Sequence, residues 1–235
     1  MGSPSAPSSA TGDGEEQNVK TESLEEVKNP HDAVDPATAY APNLSTAKKE
    51  LAALPVKEWA SKAGYTREQF GAAWDDVDHN GCNTRDDILR RDLTNIRFKA
   101  GTRACTVQTG TLDDPYTGRT IEFKRGKKSS SAVQIDHVVA LSNAWQTGAQ
   151  DIGEEKRREL ANDPENLVAA DGPANMQKSD ADASDWLPGN TAYRCTYVAR
   201  QVHVKAKYQL WVTADEKRVM ENVLNSCKDT NPVKK

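Results

Sequence analysis

Asp136 and His137 stand side by side in an otherwise mostly apolar stretch, Gln134-Ile135-Asp136-His137-Val138-Val139-Ala140-Leu141. The carboxylate is a hard oxygen ligand, and an imidazole of ordinary pKa, about 6.5, accepts a proton near neutral pH. Two polar segments follow, Asn162-Asp163-Pro164-Glu165-Asn166-Leu167 and Gly172-Pro173-Ala174-Asn175-Met176-Gln177-Lys178. The amide oxygen of Asn175, with Asp136, forms a donor set suited to one Mg²⁺ or Mn²⁺ ion. Lys178 lies three residues on, on the same face of a helix, where its ammonium is placed to meet a phosphate as a point charge. Phosphodiester hydrolysis needs a water nucleophile, charge neutralisation on the phosphate and help for the leaving oxygen, and a divalent ion supplies the last two. Neighbouring side chains on a strand point to opposite faces. Asp136 and His137 therefore reach one phosphate only if the strand bends, and irregular backbone is expected there. Taken singly, Asn175 reads as a helix cap and Lys178 as a solvated charge; the ordered combination is what points to catalysis.

A strand ending in Asp-His, an Asn opening a second strand and a polar ligand on the next helix resemble the ββα-metal, or HNH, nuclease core. The wider pattern (IDHVVAL, Ala144-Trp145, NDPxNL, N-x-x-K and Trp186-Leu187-Pro188) is similar to a secreted bacterial branch of HNH endonucleases related to the nuclease domain of GmrSD-type restriction enzymes. Gly81–Arg85, Arg91-Asp92 and Asp114–Gly118 resemble the same branch, so the likeness spans roughly residues 50–227. It implies that Asn166 holds the loop orienting His137 rather than binding metal. Many relatives carry a further His one turn after the last ligand, where this chain has Ser179. That departure implies two protein ligands, Asp136 and Asn175, with waters completing the shell, and favours Mg²⁺ or Mn²⁺ over zinc. The implied fold is α+β, a ββα-metal core embedded in a mostly helical single domain.

A second constellation, Asp76-Val77-Asp78-His79-Asn80-Gly81 followed by Thr84 and Asp87, follows the spacing of an EF-hand calcium loop. Asp87 replaces the usual bidentate Glu, and the plainer reading is a turn capping the next helix. Asp76, Asp78, Asn80 and Asp87 are the candidate Ca²⁺ ligands. Lys124, Arg125, Lys127 and Lys128 form a basic loop just before the Asp-His strand, a candidate contact with a nucleic-acid backbone. No base-reading helix is evident, so weak sequence preference is expected.

The elements that must position these groups are legible in outline. Residues 46–54 have helical composition. Thr66 with Gln69 resembles a capping box ahead of Phe70 and Trp74, and Asn83 or Thr84 is placed to cap a helix carrying Ile88 and Leu89. Pro115–Gly118 reads as a turn before a strand over 120–123. A strand or strand–loop is expected over 133–141, an exposed helix over 154–160, a strand over 166–170 and a helix over 174–186. Tyr193, Tyr197, Val198, Val202 and Lys205 recur at helical spacing, and Thr213 with Glu216 opens a last helix.

Composition narrows the class. No apolar run approaches the roughly 18 residues of a membrane helix, and collagen and heptad patterns are absent. The formal net charge of −4 hides an asymmetry. Residues 1–45 carry eight acids and two lysines, so residues 46–235 hold 29 bases and 27 acids, a mildly basic body. The first 45 residues, without apolar periodicity, read as a disordered acidic spacer. Cys82, Cys105, Cys195 and Cys227 show no zinc-site spacing. They admit three pairings; the neighbouring one, Cys82–Cys105 and Cys195–Cys227, closes short loops and is the expectation. An exported protein, its leader absent from this chain, and a monomer follow. Two functions compete: a metal-dependent endonuclease cutting DNA, RNA remaining open, and a non-catalytic, calcium-stabilised extracellular binding module on the same scaffold. The presence of Asp136, His137 and Asn175 together favours the enzyme.

Overall fold

A computed structural model of the chain describes residues 41–228. Seven helices and two small antiparallel sheets make up this part, an α+β architecture as expected. Helix α1 (Leu44–Ala53) starts at Asn43, whose side chain accepts from the Thr46 amide at 2.9 Å. The expected boundary at residue 45 falls inside this helix, and Leu44 already packs on the core. The spacer reading of residues 1–40 lies outside the described residues. Helix α2 (Thr84–Asp92) is capped by Asn83. Strands β1 (Thr94–Phe98), β2 (Val107–Asp113) and β3 (Thr120–Lys124) form a meander, joined at its last turn by Asp114, which accepts from the Thr117 amide.

The second sheet is a pair, β4 (Val133–His137) and β5 (Leu167–Asp171), in unbroken register from Val133↔Asp171 to His137↔Leu167. Helix α3 (Leu141–Gln146) and helix α4 (Glu154–Asn162) lie between the two strands in sequence, and helix α5 (Gly172–Lys178) follows β5 at once. Helices α6 (Arg194–Lys207) and α7 (Ala214–Ser226) complete the chain, α7 opened by Thr213 accepting from the Glu216 amide as its motif predicts. The β4–β5 pair separates two apolar clusters, and the pleat sorts its side chains between them. Val133, Ile135, Leu167 and Ala169 face α2 and the meander; Val168 and Ala170 face α1, α6 and α7. A third cluster joins Phe70, Trp145 and Leu160. No helix among the described residues is long and apolar enough to cross a membrane.

Both expected disulfides are present, Cys82–Cys105 and Cys195–Cys227. Three expectations are corrected. Thr66 makes no side-chain cap; the element it opens is a single 3₁₀ turn, Arg67–Phe70, stopped by Gly71 at φ +81°. The helix expected over 174–186 ends at Lys178 because Ser179 turns left-handed, φ +53°, and Lys178 O accepts from the Ala181 amide. Helix α4 is not simply exposed: Arg157, Leu160, Ala161 and Asn162 are buried.

Candidate active site

Strand β4 pairs on one edge only, and a cleft of about 380 Å³ opens at its other side, lined by Asp136, His137, Asn175 and Asp180 among others. The β4–β5–α5 succession brings three of the sequence candidates into this cleft. The helix sits close because residue 172 is glycine: a Cβ there would lie 2.0 Å from the Ser131 carbonyl oxygen. Asp171 accepts from the Ala174 amide at 2.9 Å and Pro173 fills the first turn, which fixes where the helix begins.

The expected bend at Asp136–His137 does not occur. Both residues keep the ladder register, and the backbone leaves it only after His137, where the Val138 amide donates to Asn166 O. The pleat sends the two side chains to opposite faces, yet both line the same cleft, which runs past the end of β4 to Ala140 and Leu141, so no bend is needed to bring them to one site. The Asp136 carboxylate meets Tyr116 Oη and the Lys178 ammonium, which lies 3.0 Å away. Burial pushes the Asp136 carboxyl above its ordinary value, and Lys178 and Tyr116 pull it back. On the other face, His137 Nε2 lies 2.8 Å from Ala161 O, and its ring stacks on Trp74 at 6.1 Å and 12°. A carbonyl only accepts, so Nε2 carries the hydrogen and Nδ1 the lone pair. Burial lowers the His137 pKa to about 4, the Ala161 contact opposing it. The imidazole is neutral at pH 7.

Asn166 is fully buried and clamps the loop beyond His137. Its Oδ1 accepts from the Val139 amide at 2.8 Å, and its Nδ2 donates to Val139 O and Leu160 O. The preceding turn is held by two buried arginines. Arg91 donates to Pro164 O and Leu167 O, and Arg200 to Glu165 O and Leu167 O, all at 2.7–3.0 Å. Asn175 Nδ2 donates to Gln134 Oε1 at 2.9 Å, so its amide oxygen is the end left for another partner.

Lys178 is corrected. It does not face a phosphate: its ammonium is fully buried between Asp136 and His137 O, 2.8 Å away. A helix that turns Asn175 toward the cleft turns position 178 beneath the Asp136 carboxylate, where a cation offsets a buried anion. The basic loop divides likewise. Arg125 is ion-paired with Asp86 and donates to Val107 O, whereas Lys124, Lys127 and Lys128 are exposed. In the candidate calcium loop, Asp76 accepts from the Asn80 and Gly81 amides, and the Asn80 amide group donates to both Asp78 and Asp87. Among the described residues no three His, Cys, Asp or Glu side chains gather into a metal site.

Sequence reasoning missed Tyr116, Gln134, Arg67, Lys62 and Asp180. Tyr116 and Gln134 lay inside quoted segments, but nothing marked their side chains as reaching the site. Arg67 and Lys62 arrive from a distant arch of the chain. Lys62 pairs with Asp180 at 2.7 Å beside the cleft, and this hydrogen bond holds the Asp180 carboxyl below its ordinary value.

The family described as "GmrSD restriction endonucleases, C-terminal domain" matches residues 83–223. A protein of the fungus Arthroderma benhamiae described as "Uncharacterized secreted protein" is 36% identical over 194 residues, 82% of this chain and 90% of that one. No solved structure matches. The matched segment holds Asp136, His137, Asn166, Asn175 and Lys178, and covers more than half of the chain, which therefore belongs to the nuclease-related family of GmrSD C-terminal domains.

Proposed function

We propose that this chain is an exported, metal-dependent endonuclease of the HNH type, hydrolysing DNA with little sequence preference. The observation that carries this reading is the placement of a neutral, buried His137 next to Asp136 and Asn175 in one cleft. The donor set fits a hard divalent ion in kind. Asp136 Oδ2 takes Tyr116 and Lys178, Oδ1 takes Lys178 alone and so has a lone pair to offer, and the Asn175 oxygen is left over by its bond to Gln134. Mg²⁺ or Mn²⁺ bound by these two residues would supply charge neutralisation on the phosphate and help for the leaving oxygen.

The chain's own groups do the rest. His137 Nδ1 takes the proton from the attacking water, with its tautomer set by Ala161 O and its ring held between Trp74 and the Asn166-clamped loop. Lys178 and Tyr116 keep the Asp136 carboxylate oriented and offset the upward push of burial on its carboxyl. Lys124, Lys127 and Lys128 are free to meet the phosphate backbone. Two disulfides and a secreted relative support export.

Plasmid nicking with Mg²⁺ or Mn²⁺, with and without EDTA, tests the reading. EDTA should stop the wild-type protein. His137→Ala should lose about 10²–10⁴-fold in rate with its melting transition retained. A loss under tenfold removes His137 as the base, and a protein that nicks nothing overturns the nuclease in favour of a binding module.

A further inference from the structure

A second hollow, of about 480 Å³, lies on the other side of His137 from Asp136. Its walls are Phe70, Trp74, Leu141 and Ala161, with Arg67, Glu68 and Asn162 as the polar groups. Its size falls in the range of about 300–1,000 Å³ typical of small-molecule sites. Three residues, Arg67, His137 and Leu141, line both this hollow and the catalytic cleft, so the two are contiguous.

Two of its polar groups lack partners. Asn162 is 1% exposed; its Nδ2 donates to Arg158 O, but among the described residues nothing donates to its buried Oδ1. Such an acceptor is destabilising while buried unless something donates to it. Arg67 is exposed, no carboxylate of the described residues lies within salt-bridge distance of it, and the turn that carries it is anchored. Arg157 donates to Gln69 O at 2.8 Å, and Phe70 is buried beneath the same 3₁₀ turn. The Trp74 end is fixed as well: the Thr84 amide donates to Trp74 O, and Arg158 pairs with Asp75 at 2.8 Å. Residues 67–74 lie before the segment that the family match covers.

We propose that this hollow receives the nucleobase next to the scissile phosphate, with Arg67 holding the phosphate between the two cavities. The proposal rests on the endonuclease reading. Trp74, half-buried beside His137, supplies an aromatic wall, which accepts any base because every base has a π-face. Arg67 supplies the cation that Lys178, buried under Asp136, does not. Asn162 Oδ1 asks for an N–H, which every base supplies, adenine, cytosine and guanine through an exocyclic amine and thymine through its N3–H.

The test is an NMR titration of the full ¹⁵N-labelled chain in EDTA with deoxyadenosine monophosphate, deoxythymidine monophosphate and inorganic phosphate. Deoxyadenosine monophosphate should shift the Trp74 indole and the Asn162 side-chain amide and bind about tenfold tighter than phosphate alone. Arg67→Ala should weaken all three ligands. In parallel, an oligonucleotide with an abasic residue beside the scissile bond should show a KM raised about tenfold. Equal binding of the three ligands without a Trp74 shift, or no binding at millimolar nucleotide, overturns the subsite. Nucleotide-induced shifts at Trp74 in a protein that cuts no nucleic acid with either metal would instead overturn the nuclease reading and leave the subsite standing.

Discussion

Among the described residues two lysines are fully buried, Lys178 and Lys205, and both solve the same electrostatic problem in the same way. Lys178 lies between the Asp136 carboxylate and His137 O; Lys205 lies between the Glu216 carboxylate, 2.7 Å away, and Trp211 O. In each case burial pushes the carboxyl up and the ammonium pulls it back. What separates the pairs is access. Glu216 is 0% exposed and its pair ties α6 to α7, whereas Asp136 lines a cleft and has Tyr116 as a second donor. One motif thus serves as scaffold in one place and as the support of a reactive group in the other.

Breaking either pair from the lysine side should have the largest effect. Lys178→Met and Lys205→Met each strand a buried carboxylate, and each should cost about 3–5 kcal/mol in denaturant unfolding. The double variants then separate the two roles. Lys205→Met/Glu216→Leu should regain that stability and nick plasmid normally, while Lys178→Met/Asp136→Leu should regain it and nick nothing. Loss of activity in the scaffold double variant would end the distinction.

Acid should also tell the site from the scaffold. The His137 pKa is about 4 in the folded chain and about 6.5 unfolded, so the unfolded chain binds the proton first. Stability is therefore fully present above pH 6.5 and falls as pH drops from 6.5 to 4, by up to about 3 kcal/mol. Unfolding free energies across that range should slope for the wild type and lose this part of the slope in His137→Gln.

Tyr116→Phe removes the second side-chain donor to Asp136, where Glu216 has only a backbone amide, that of Thr213, beside Lys205. It should cost about 1.5–3 kcal/mol, the worth of a hydrogen bond to a charged group, and lower activity as Asp136 loses its orientation. The smallest effect is expected from exposed cations. Lys127→Ala and Lys128→Ala should each lower the salt slope of DNA binding by about one and leave stability unchanged. A slope that does not move would place the backbone path elsewhere on the surface.

How far the sequence discloses this arrangement follows from the range of each interaction. The ββα order, the caps Asn83 and Thr213, and the neighbouring cysteine pairs depend on local chemistry and were legible. Lys178 was misplaced because helical spacing says which residues share a face, not what that face is buried against. Helix α5 was read too long because nothing in Ser179-Asp180-Ala181 announces a left-handed turn. Tyr116, Arg67 and Trp74 reach the site across long stretches of chain, and no pattern in a single sequence encodes such contacts. The EF-hand spacing at 76–87 was visible, but in the fold the Asn80 amide group lies between Asp78 and Asp87 as a donor to both.

The disulfides carry a consequence for the continuity of the chain. Each joins a cysteine inside the family-matched segment, Cys105 or Cys195, to one just outside it, Cys82 or Cys227. The first ring encloses α2 and β1, and the second encloses α6 and α7. A single protease cut inside either ring opens the ring without parting the chain, so both sides of the nick stay tethered next to the partners they fold against. A nick in the exposed loop before Cys105, or in the α6–α7 connection, leaves every site residue on one covalent molecule until a reductant arrives.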